Sequence, residues 1–250
     1  MNPCIDYLDA IEMLMEKVRK TEAEKMKQAA EIMANAVVAN KLIYLWGPGG
    51  HSSIFSEDVL YRKGELAALC PIYDPSISLS HGGAREINGM ERVAGYGKLV
   101  IEYHNIKKED VVILGSAYGI NPVAIEGAIE CRNRGAYVIS ITSPAFSDQS
   151  TYATAMHKSK KTLYQVSDLY IGSYVPYGDA ILKYDCLDRK ISPVATIMQA
   201  ILLKALLAET IVKIREKGVQ PPIWTNSLQE GGIEENAAYM AKIWGKVKSM

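Results

Sequence analysis

Apolar positions recur every three or four residues from the start of the chain: Ile5, Leu8, Ile11, Met15 and Val18, then Met26, Ala30, Met33 and Val37, with charges between them. That spacing lays one apolar stripe along a helix. Thr21 followed by Glu24 resembles a capping box, which divides the stretch into two helices. At Lys41 the period changes. KLIYLW (41–46) is a short apolar run of strand-favouring residues that stops in GPGG, the pattern of a buried strand entering a tight loop. ALCPIYD (68–74), VVILGS (111–116), AYVISITS (136–143) and DLYIGS (168–173) read as four further strands. A helix is predicted after the first glycine loop, another from Pro122 to Arg134, and a strongly apolar one from Pro193 to Glu216 that GVQPP terminates.

Strands that are apolar on both faces and alternate with helices imply a parallel sheet covered on each side, joined by right-handed crossovers. The predicted fold class is therefore α/β. Its organisation is one domain, with a helical extension over 1–40, an α/β core over 41–218 and a second extension over 219–250.

Lysine and arginine total 28, as do aspartate and glutamate, so the formal net charge is zero at pH 7. A binder of nucleic-acid phosphates needs a basic surplus, and no nucleic-acid partner is expected. The chain is 48% hydrophobic and 22% charged, the balance of a globular protein. No run nears the ~20 unbroken apolar residues that span a bilayer. The opening MNPCIDYLDAIEML has acidic residues where a secretory signal has basic ones. The expectation is a cytoplasmic protein with no membrane partner. Cys4, Cys70, Cys131 and Cys186 lie far apart without a CxxC pair, which predicts buried free thiols and neither zinc nor disulfides. No metal and no cofactor is expected.

In an open parallel sheet, ligands bind beyond the carboxyl ends of the strands, so the loops there carry the candidate chemistry. In GPGGHSSIFSED (47–58), Gly49 and Gly50 let the backbone approach a ligand, and Ser52 and Ser53 add hydroxyls at a helix start. This reads as an anion cradle or as a plain strand-to-helix turn with a serine cap. His51 lies within it. Glu57 and Asp58 follow about one and a half turns beyond Ser52. One of these carboxylates can point back at the pocket and take a proton from a carbon beside a carbonyl, while the other faces water.

The segment 74–92 is long and polar and reads as a functional loop. It carries His81, a candidate acid for sugar ring opening, followed by Arg85, Glu86, Glu91 and Arg92. GSAYGINP (115–122) repeats the logic of the first loop with Ser116, Tyr118, Gly119 and Asn121 ahead of a helix. HKSKK (157–161) adds local positive charge, most simply a solvated run.

In their order along the chain, GPGGHSSIFSED…YRKGEL, PIYDPSISLSHGGA, GSAYGINPVAIEGA, ITS, SDLYIGSYVPYGDA and the long closing helix resemble the SIS (sugar isomerase) domain family. The likeness is to its small single-domain phosphosugar isomerases, near the phosphoheptose isomerases, and it runs from Leu42 to Glu235. It implies a flavodoxin-like five-stranded parallel sheet, homodimers or homotetramers with sites at subunit boundaries, and aldose–ketose isomerisation or related sugar-phosphate chemistry. Ser52 and Ser53 match the family's first phosphate-side loop, and Ser116 matches the first hydroxyl of its second. Glu57 and Asp58 match the tandem acidic pair where such isomerases place the base. Where relatives read like SNSGRN, this chain has Ser116, Ala117, Tyr118, Gly119, Ile120 and Asn121. Where they carry a GGDEHN-like stretch, it has Gly231, Gly232, Ile233, Glu234, Glu235 and Asn236.

The expected function is isomerisation of a small anionic sugar, most simply a sugar phosphate, through a cis-enediol. Glu57 or Asp58 would be the base, and His81 or His51 would assist. Gly49, Gly50, Ser52, Ser53, Ser116, Tyr118, Gly119 and Asn121 would hold the anion. The altered second loop also suits a SIS-type lyase, a deaminase-like enzyme on a modified sugar, or a non-catalytic sugar-phosphate sensor.

Overall fold

Two helices open the chain as the spacing predicts, α1 (Pro3–Thr21) and α2 (Ala23–Val38), in a computed structural model that describes residues 2–79, 83–150 and 156–248. Their junction is not a capping box. The Thr21 hydroxyl donates to the Lys17 carbonyl at 2.8 Å. Glu22 is 3% exposed, and its carboxylate accepts from the Gly172 N–H at 3.0 Å, the Tyr174 hydroxyl at 2.7 Å and Lys25 at 3.0 Å. A buried carboxylate anchored on the far edge of the sheet therefore sets the break, and tertiary contact supplies its Gly172 and Tyr174 partners.

The chain continues through β1 (Ile43–Trp46), α3 (Ser53–Glu57), β2 (Leu69–Pro71), α4 (Ala84–Met90), α5 (Tyr96–Tyr103), β3 (Val111–Gly115), α6 (Pro122–Asn133), β4 (Tyr137–Thr142), α7 (Pro144–Ser147), α8 (Leu163–Val166) and β5 (Leu169–Gly172). All five predicted strands form. They pair in parallel in the order β2-β1-β3-β4-β5, the flavodoxin-like order. The alternation of side chains explains the apolar runs. Ile43, Leu45, Val111, Ile113, Ile139, Ile141 and Ile171 face one core, filled from α2 by Met33 and Val37. Trp46, Val112, Leu114 and Val138 face the other, with Ile101 of α5 and Val123 and Ile125 of α6.

Several elements differ from expectation. The segment 74–92 is not a plain loop, because it holds α4. After β5 the chain forms a hairpin that the pattern does not announce, β6 (Ala180–Leu182) against β7 (Ile191–Pro193). The predicted apolar helix is present as α9 (Ala195–Glu216). By length and composition it can cross a membrane, yet Met198, Leu202, Leu203, Leu206 and Leu207 are buried in the same core as α2. The C-terminal extension ends in α10 (Gly232–Ile243) and covers the edge beside β2: Ala67 N–H donates to the Pro222 carbonyl at 2.7 Å and Trp224 N–H to the Glu65 carbonyl at 2.9 Å. Of the four free thiols, Cys70 and Cys131 are buried as expected, but Cys4 and Cys186 are exposed.

His104, at the end of α5, is 7% exposed and its Nδ1 has no partner. Burial, helped by the charge of Lys248, pushes it down to about 4 from the ordinary 6.5. The unfolded chain binds this proton near 6.5 and the folded protein only near 4, so the stability of the neutral form is complete above 6.5 and is lost as pH falls through that window. Between about pH 7.5 and about pH 5 the expected loss from this group is about 1–2 kcal/mol after solvent screening. Urea midpoints at the two pH values measure it. The gap should shrink in His104→Leu, and an unchanged gap would show that other groups carry it.

Candidate functional site

The strand order reverses between β1 and β3, and the loops leaving these two strands bound the crevice that such a reversal creates. A cleft of about 560 Å³ opens there. Gly49, Gly50, His51 and Ser52 line it from the first loop, and Ser116, Tyr118 and Asn121 from the second. The hairpin adds Asp179, and the start of α9 adds Thr196 and Gln199. Among the described residues lining it there is no lysine or arginine.

The first loop curls back on itself. A Cβ on Gly47 would stand 1.7 Å from the Ser52 carbonyl oxygen, and one on Gly49 would stand 2.9 Å from Glu91 Oε1. Gly47 is thus required by the close approach of the loop's own backbone, while at Gly49 a Cβ would crowd only the end of the Glu91 side chain. Ser53 turns inward, buried, and donates to the Gly50 carbonyl at 2.9 Å. In the second loop Gly119 N–H donates to Ser116 Oγ at 3.2 Å, with Gly119 at φ +59°. Tyr118 stacks on Phe146, ring centroids 4.1 Å apart at 10°, and its hydroxyl reaches Asp179 at 3.5 Å. Burial, with the negative charges of Asp179 and Glu91 nearby, pushes the Tyr118 phenol up to about 12.

Three polar groups that the sequence does not single out for the site enter it from elsewhere. Glu91, just past α4, bridges the two loops: Gly50 N–H donates to Oε1 at 2.9 Å and Asn121 Nδ2 to Oε2 at 2.5 Å. Burial pushes its carboxyl above the ordinary value, opposed by the Gly50 N–H and by the charges of Arg92 and His51. Gln199, 1% exposed, reaches in from α9. With its amide oxygen turned to the second loop it accepts from Ala117 N at 2.5 Å and Ser116 N at 3.0 Å. Asp179 caps α9, accepting from Val194 N at 2.9 Å and Ala195 N at 2.7 Å. Glu91 stands in a segment that reads as functional, and Gln199 carries a signal as a lone amide in an apolar helix, which needs a buried partner.

The two carboxylates expected as bases lie outside the cleft lining. Glu57 ends α3, a helix of five residues, and accepts from Ser78 at 3.1 Å. Asp58 pairs with Arg62 at 2.7 Å and Lys204 at 2.9 Å. His81 lies outside the described residues. In the 157–161 segment His157 is buried, its Nε2 3.7 Å from Glu126, while Lys158, Lys160 and Lys161 are exposed. Among the described residues no three His, Cys, Asp or Glu side chains gather as a metal site would require.

Residues 6–143, more than half of the chain, match the family model described as the SIS domain. The UPF0309 protein of Geobacillus sp. (strain WCH70) is 36% identical over 236 residues, 94% of either chain. The chain belongs to the SIS domain family. Among solved structures, this SIS domain chain is similar to the phosphoheptose isomerase GmhA of Neisseria gonorrhoeae, with TM-score 0.51 and 17% identity over 82% of this chain and 94% of that one. It is also similar to the Vibrio vulnificus NanR protein, complexed with ManNAc-6P, with TM-score 0.52 and 11% identity over 98% of this chain and 70% of that one. At these identities the likeness is one of fold. The SIS match includes both cleft loops and Glu91, while Asp179 and Gln199 lie beyond it.

Proposed function

We propose that this SIS domain protein binds a sugar phosphate in the cleft between the β1 and β3 loops and isomerises it between aldose and ketose. The observation that carries the reading is a single crevice, at the reversal of strand order, lined by both hydroxyl-bearing loops and by a half-buried carboxylate that bridges them. Ser52, Ser116 and the amides of Gly49 and Gly50 hold the anion, with Asn121 on the opposite loop. Ser53 and Gly119 keep the two loops in shape. The sugar ring lies over Tyr118, whose ring face away from Phe146 suits a carbohydrate's C–H surface.

The base is drawn from the carboxylates near the cleft, and Glu91 is favoured because, half-buried in the cleft lining, it bridges the two loops. Its carboxylate takes the proton from C2 of the aldose and the enediol forms. The proton returns to C1 while His51 carries the hydroxyl proton from O2 to O1, so atoms balance without a redox partner. Glu57 and Asp58 are the alternative bases, and they are tested beside Glu91. Assembly as a homodimer or homotetramer in the cytoplasm belongs to the same reading: exposed Ile5, Leu8 and Met13 on α1 and Ile197 and Val212 on α9 offer apolar surface to a second copy.

The test is a panel of aldose and ketose phosphates incubated with the protein in deuterated water. Interconversion with deuterium entering at C1 or C2 is the expected result. Loss of substrate with ammonia or acid released would replace the isomerase by a deaminase or lyase. Binding without turnover in any member of the panel would replace it by a sensor.

A further inference from the structure

We propose that Glu91 occupies the anion subsite of the ligand-free cleft, and that the substrate's phosphate displaces it to reach the donors it holds. The inference rests on the sugar-phosphate reading of the cleft and adds how that site selects phosphorylated ligands.

Of the donors that face this cleft, three sets are already met by an acceptor of the protein. Gln199 meets Ser116 and Ala117, Asp179 meets the start of α9, and Glu91 meets Gly50 and Asn121. The three are not equivalent. Gln199 is neutral and held in a core helix, and Asp179 satisfies the end of a 22-residue helix. Glu91 alone bridges the two loops, so its withdrawal frees one backbone and one side-chain donor on opposite walls at once. A phosphate oxygen pair can take that place. The absence of lysine and arginine among the described lining residues makes those donors matter more, since no cation there pulls the anion in. Glu91 also repels any anion that leaves it in place. Released, its carboxylate is free to face the sugar. A sugar without an anionic group cannot release it, so the residue discriminates between phosphorylated and free sugars.

Sulfate, a dianion across the whole working range, is the probe. Wild-type protein should bind sulfate weakly at about pH 8 and more tightly as the pH falls, because the half-buried carboxyl, pushed above its ordinary value, takes up a proton. Glu91→Ala should bind it about tenfold more tightly than wild type already at about pH 8. His51 from the first loop, Arg92 beside Glu91, and Tyr118 from the second loop with its partner Asp179 are the other charged or titratable groups facing this position. The pH slope that survives in Glu91→Ala measures the share of these groups together.

If Glu91→Ala does not fold, Glu91→Gln decides at about pH 8: sulfate binding several-fold tighter than wild type supports the proposal, and an unchanged affinity ends it. Sugar phosphate binding to wild type, together with sulfate affinity unchanged by Glu91→Ala, overturns the displacement while leaving the site in place. No binding of sulfate or of any sugar phosphate to either protein overturns both.

Discussion

Glu91→Gln is expected to lower kcat on the isomerised sugar phosphate by about 10²–10⁴-fold, the usual contribution of a positioned proton-transfer group. KM should stay level or fall. Glutamine keeps the size of the side chain and removes the charge, so an anion no longer competes with a carboxylate for Gly50 N–H and Asn121 Nδ2. A loss confined to kcat separates a transition-state role from simple binding. Glu57→Gln and Asp58→Asn serve as the paired controls. Glu57 is held by Ser78 and Asp58 by Arg62 and Lys204, so neither variant should cost more than about tenfold. A collapse of kcat in Glu57→Gln with little change in Glu91→Gln would transfer the base to α3. Exchange of the C2 proton, followed in deuterated water, locates the base independently of product release.

Gly47→Ala is expected to destabilise the protein by about 3 kcal/mol or more. The added methyl would fall 1.7 Å from the Ser52 carbonyl oxygen and 3.0 Å from Ser53 N. Backbone cannot swing aside as the end of a side chain can, so the whole loop must open. The midpoint of thermal unfolding should fall by about 6–12 °C for a chain of this size, and sulfate binding should be lost with it. Gly89→Ala is the matched control. It lies inside α4 with nothing within 4 Å of the added Cβ, and alanine there should be neutral or stabilise by up to about 1 kcal/mol. Equal effects at the two glycines would show that backbone freedom, and not close approach, decides both.

Much of the architecture is legible in the residues because it depends on short-range pattern. Ile43 and Leu45 face one core and Trp46 the other because side chains alternate along any strand. The run from Leu42 to Trp46 can be apolar throughout only if both faces are covered. The glycines of the first loop and the apolar period of α9 are equally local. The N-terminal break falls where the pattern predicts, but for a different reason: Thr21 and Glu24 form no capping box, and the Gly172 and Tyr174 partners of Glu22 lie some 150 residues downstream. The helix inside 74–92 is hidden because glycines and charges mask its period, and the β6–β7 hairpin because its strands are three residues each.

The five strands, their two-sided burial and the hydroxyl-bearing loops at the ends of β1 and β3 are written in the residues themselves, since each follows from neighbours a few positions apart. Which acidic groups meet those loops is settled by folding alone. α3 stops after five residues, which leaves Glu57 beside Ser78, while α4, the hairpin and α9 deliver Glu91, Asp179 and Gln199 to one crevice. Such convergence depends on strand order and helix length, quantities fixed by packing the whole chain against itself, and no local period encodes them.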